Sequence, residues 1–120
     1  MVLFAAPDES CWVGVLRLSL RIPGSRSLKD KRRVVAQYRD RLRAKKNLSV
    51  AEVGHHEEHG SAILAVASVS NDQRLLRSVL DQAAHDVGTW RGATVVDTWV
   101  EVQRPWDGDA QSQYDEFING

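Results

Sequence analysis

The chain has 120 residues, of which 42% are hydrophobic and 27% charged, with sixteen basic and sixteen acidic side chains and a formal net charge of zero. That length supports one domain around one core, and the composition is that of a soluble globular protein, so disorder is not the default reading. Cys11 is the single cysteine, which excludes an intramolecular disulfide and gives no sign of an oxidising compartment.

Residues 1–11 read as an N-terminal extension. Their apolar run stops at Pro7 and has no basic flank, so neither a signal peptide nor a membrane span is expected, and a cytoplasmic location follows by elimination. A strand is predicted from Trp12 to Ile22. Trp12, Leu16, Leu18, Leu20 and Ile22 alternate with Val13, Val15, Arg17, Ser19 and Arg21, so the first set faces a core. Pro23-Gly24 breaks the strand. Ser27 with Asp30 has the form of a capping box and opens a helix that runs to about Lys46. Leu28, Val35, Tyr38 and Leu42, with Val34 beside them, make its apolar stripe. Asn47 is a stop.

Strands follow at about Leu48–Val53 and Ala62–Val69, joined by the polar loop Gly54–Gly60 as a hairpin. Ser70 and Gln73 form a second capping-box pattern. The helix they open buries Leu76, Val79, Leu80, Ala83 and Val87, with Gly88 as its C-terminal cap. A last strand covers about Thr94–Val102. Val96, Thr98, Val100 and Val102 are expected to point inward, and Val95, Asp97, Trp99 and Glu101 outward. Residues 105–120 form an acidic tail that could lie on the first helix.

The order β-α-β-β-α-β predicts an α+β, ferredoxin-like domain over residues 12–104. Its four-stranded antiparallel sheet would run in the order 4-1-3-2, with two helices on one face and the other face open.

Charge is distributed unevenly. Residues 25–46 hold ten of the sixteen cations and two acids, so that stretch is near +8 and the rest of the chain near −8. Counterion release at phosphates makes such a helix a nucleic-acid surface, and Arg26, Lys29, Lys31, Arg32, Arg33, Arg39, Arg43 and Lys46 are its candidate contacts. The competing reading is a solvated helix face.

The segments Val13–Leu18, Arg21–Val35 (RIPGSRSLKDKRRVV) and Asn47–Val53 (NLSVAEV), with Val69-Ser70-Asn71-Asp72 before the second helix, resemble the YlxP-like bacterial family, domain of unknown function 503. The likeness covers about Trp12–Val102. Genes of that family often lie near those for ribosome maturation and translation initiation factors, which implies an RNA or ribosomal-subunit partner. The family supplies no catalytic residues to carry over. The extension, the tail and the histidines of the hairpin loop depart from its pattern.

Other features have two readings each. The turn at Ser25, Arg26 and Ser27 could hold an anion at the helix N-terminus, or simply cap the helix. It matches neither a P-loop nor a dinucleotide fingerprint, and an enzyme acting there on a phosphorylated small molecule is the weakest option. On the open sheet face, Val13, Val15, Val95 and Trp99 could form a protein–protein or homodimer interface, or be covered by the termini. The second of the two hairpin strands has no aromatic residue, which disfavours a base-stacking RNA-recognition motif. His55, His56, Glu57, Glu58 and His59 are metal-ligand types but fail the HEXXH spacing, so no metal and no cofactor are expected.

Overall fold

The computed structural model describes residues 10–45 and 47–105. The elements are β1 (Trp12–Arg21), α1 (Leu28–Arg43), β2 (Ser49–Gly54), β3 (Ser61–Ser70), α2 (Gln73–Thr89) and β4 (Thr94–Gln103). All three pairings are antiparallel and the strand order is β2-β3-β1-β4, the ferredoxin-like order expected from the sequence. α1 packs on β2 and β3, and α2 on β1, β3 and β4. The core lies between this helix layer and the sheet. Leu16, Leu18 and Leu20 of β1 and Leu64 and Val66 of β3 meet Val35, Tyr38 and Leu42 of α1 and Leu76, Leu80, Ala83 and Val87 of α2.

Two close approaches fix the helices on the sheet. Gly14 lies on the inner side of β1, where a Cβ would come within 2.6 Å of Leu80 Cδ1, so α2 sits directly on the strand backbone. Gly92 takes φ +110° between α2 and β4, a conformation suited to glycine, and brings that turn against Val34 and Tyr38. The Tyr38 hydroxyl accepts from the Ala93 N–H at 2.9 Å and donates to the Arg91 carbonyl at 3.0 Å. Its ring meets Trp90 edge-on, with centroids 5.2 Å apart.

Four sequence expectations are corrected. β4 changes phase at a bulge, because Ser19 pairs with Asp97 but Leu20 pairs with Val95. Val95 therefore packs against the core, while Val96, at the bulge, is exposed. α2 is capped by Asp72, whose carboxylate accepts from the Leu75 N–H at 3.1 Å, whereas Ser70 supports the turn by accepting from Asp72 N–H. Gly88 lies inside that helix, which continues to Thr89. α1 ends at Arg43, short of the expected Lys46. Asn47 does turn the chain, at φ +65°.

Candidate nucleic-acid interface

α1 begins on a variant of the capping box, in which Asp30 reaches the residue before the N-cap. Ser27 Oγ accepts from the Asp30 N–H at 3.1 Å, and Asp30 Oδ2 accepts from the Arg26 N–H at 3.0 Å. Ser25 is buried, and its hydroxyl donates to the Ser27 carbonyl at 3.0 Å. The candidate anion site at Ser25, Arg26 and Ser27 is thus closed by its own side chains. The Asp30 carboxylate also sits where an anion would approach.

The cations of α1 divide by their place on the helix. Lys31 falls in the buried stripe with Val35, Tyr38 and Leu42 and is 1% exposed. Its ammonium donates to the carbonyls of His55 and Glu58, the latter at 2.8 Å, and lies 3.0 Å from Glu52 Oε2. Three oxygens from β2 and the hairpin turn thus surround one ammonium. This is a correction to its assignment as a nucleic-acid contact, since the charge is spent inside the fold.

Arg41 and Lys45 face the α2 side. The Arg41 guanidinium stacks over the Trp90 ring at 4.1 Å, and Lys45 pairs with Asp86 Oδ2 at 2.7 Å. That contact, with a further hydrogen bond from Gln82, holds the Asp86 carboxyl below the usual carboxylate range. A shallow cleft lined by Arg41, Lys45, Asp86 and Trp90 is therefore occupied by its own ion pair and stack.

Arg32, Arg39 and Arg43 each lie one residue past the buried positions 31, 38 and 42, so they form a second stripe on the outer, β2 side of α1. Lys29 and Arg33 adjoin it. Lys29, Arg32, Arg33 and Arg43 are exposed and Arg39 is half-buried. Arg43 donates to the Val50 carbonyl of β2 at 3.2 Å, which anchors the stripe at one end and leaves most of its five donors available. Arg39 lies 3.8 Å from Asp40, and that exposed pair holds it weakly. Among the described residues, Arg26, Lys29, Arg32 and Arg33 make no ion pair. Lys46 and the acidic tail beyond residue 105 lie outside the described residues.

The hairpin loop presents its side chains outward and its carbonyls inward to Lys31. His55 adopts φ +60° there, and its Nδ1 lies 2.9 Å from Ser61 Oγ. Ser61 donates to Glu58 Oε2, which with the neighbouring His55 lowers the Glu58 carboxyl below its ordinary value.

On the opposite side of the sheet, Val13, Val15 and Trp99 share the open face with Val69. Trp99 is 64% exposed, and no described residue covers it.

Fold and surface together define a ferredoxin-like α+β domain with a cationic first helix. The chain belongs to the family described as protein of unknown function (DUF503), which matches residues 13–100. No curated protein matches it. Similar solved structures include the de novo designed protein Foldit4, at 12% identity and TM-score 0.41, covering 79% of this chain and 98% of that one. A C-terminal segment of the alpha subunit of aIF2 from Pyrococcus abyssi is 11% identical at TM-score 0.41, over 82% of this chain and 52% of that one. A hydantoinase/carbamoylase family amidase from Burkholderia ambifaria is 13% identical at TM-score 0.41, over 81% and 28%.

Proposed function

We propose that the protein is a small cytoplasmic RNA-binding protein that holds phosphates of ribosomal RNA against the outer side of α1. The observation that supports this reading is the stripe of Lys29, Arg32, Arg33, Arg39 and Arg43. These cations remain on one side of the helix after Lys31, Arg41 and Lys45 have met the needs of the fold. A helix that served only solubility would balance its cations with acids along the same face, and here Asp40 stands against five. Phosphate contacts of this kind carry little sequence preference and depend strongly on salt.

Co-sedimentation with ribosomal subunits, and gel shifts with ribosomal RNA, test the reading. With about four or five phosphate contacts, affinity should fall about 100-fold or more between about 50 and 200 mM salt. Reversing Arg32, Arg33 and Arg39 to Glu should abolish binding, and each single Arg→Ala should reduce the salt slope by about one. Absence of binding to RNA or to either subunit at low salt refutes the proposal.

A further inference from the structure

The register of the sheet places one row of residues straight across its open face. Ala51 pairs with Ala65, Ala65 with Arg17, and Arg17 with Trp99. Residues paired across antiparallel strands project to the same side. The row therefore runs small, small, large, large from β2 to β4. Its last member, Trp99, is the most exposed large apolar side chain among the described residues.

Such a row is complementary to itself. Consider a two-fold axis in the plane of the interface, parallel to the strands and between β3 and β1. It lays β4 of one copy over β2 of the other, and β1 over β3. Trp99 of each copy then meets Ala51 of its partner, and Arg17 meets Ala65. In the next row, Val15 pairs with Ala67, and the same axis sets Val15 over Ala67 of the other copy. Large falls on small in both of these rows, with Glu101 over Ser49 in the second, whereas Val13 at the end of the face falls on Val69. Arg17 brings its own counter-ion, since its Nη1 lies 3.6 Å from Asp97 Oδ2 in the same chain.

We infer that the occupant of the open face is a second copy of this chain, stacked face to face with Trp99 seated on Ala51. Sheet twist limits the close match to the centre of the face, where this row lies. Pairing through strand edges is disfavoured by comparison. Both edge strands bulge, β2 next to Val53 and β4 at Val96, and a bulge interrupts the regular edge that a partner strand would extend. β1 and β3 are about 33 Å long and β2, over which β4 would lie, is about 20 Å, so at a spacing of about 4.8 Å the facing area is about 500 Å² per copy, at or just below the lower bound for a specific interface, and a dimer of micromolar or weaker affinity is expected.

Sedimentation of the full chain from about 1 to 100 μM tests the inference, with circular dichroism confirming that each variant is folded. The mass should rise to twice 13.4 kDa across that range. Trp99→Ala and Ala51→Trp should each move the midpoint at least tenfold higher. The double variant, Trp99→Ala with Ala51→Trp, exchanges knob and hollow and should restore the original midpoint to within about threefold. A chain that stays monomeric at 100 μM overturns the inference. So does a dimer that neither single substitution weakens, or a double variant no better than the singles.

Discussion

Lys31 is the cation of α1 whose loss should reduce stability and leave nucleic-acid binding alone. Lys31→Met keeps most of the volume of the stem and removes the ammonium. Two hairpin carbonyls then lose a donor, and the Glu52 carboxylate loses its counter-ion. Breaking a dry buried pair from one side costs about 3–5 kcal/mol. Glu52 keeps 21% side-chain exposure, so water solvates part of the stranded charge and the expected loss is about 2–3 kcal/mol. For a domain of this size that lowers Tm by about 10–20 °C.

Urea denaturation at neutral pH reads the loss as a fall in midpoint at constant slope. Removing Glu52 as well, as Glu52→Met in the Lys31→Met background, should recover the part of the loss that comes from the stranded carboxylate, while the two hairpin carbonyls still lack their donor. Arg32→Ala, one residue away, should stay within about 0.5 kcal/mol of the parent and lose RNA affinity instead. A loss below about 1 kcal/mol for Lys31→Met, or no recovery in the double variant, would refute the assignment of Lys31 to the fold.

Gly14→Val should lower stability by about 1–3 kcal/mol in the same assay, because its Cβ would sit 2.6 Å from Leu80 Cδ1 and 3.2 Å from Leu76 Cγ, so both side chains of α2 would have to repack; an unchanged midpoint would contradict that packing. The Lys45–Asp86 contact should be pH-dependent. The Asp86 carboxyl is held below its ordinary value in the folded chain, so its contribution is present above the ordinary value and is lost as pH falls through the lowered one. The difference in Tm between the parent and Asp86→Asn should be level from about pH 7 to pH 5 and close below about pH 4, with a difference that persists in acid counting against the ion pair.

The element order and the apolar members of both helix stripes follow from alternation and helical spacing, and the strand order from the ferredoxin-like fold that this element order adopts. What failed was phase and charge. In β4 the run Val95-Val96 offers two equivalent apolar residues in succession, so periodicity cannot tell which one the bulge expels; only pairing with Leu20 decides it. At the start of α2, Ser70 and Asp72 are both capping residues two positions apart, and the backbone chose the later one. Lys31 was legible in principle. It stands at the spacing of Val35, Tyr38 and Leu42, and Glu52 stands in phase with Leu48 and Val50 on the inner side of β2. Opposite charges at two core-phase positions on neighbouring elements predict a buried pair. Treating all cations of the helix as one surface concealed it.

The two proposals place their surfaces on opposite layers of the molecule, and this bears on how they would act together. α1 lies on the helix layer and Trp99 on the open face. A face-to-face dimer leaves both cationic stripes outward, on opposite sides of a four-layer particle. Sheets stacked about 10 Å apart, with a helix layer about 10 Å thick on each, put the two α1 helices about 30 Å apart. The dimer could not present them as one continuous basic surface to a single short strand. It could bridge two phosphate-rich segments, where the second contact gains from the effective concentration set by the first. Trp99→Ala would then weaken binding to a large folded RNA while leaving a short oligonucleotide bound as before, whereas Arg32→Glu would weaken both. That contrast separates a role of the dimer in avidity from a role of α1 in contact.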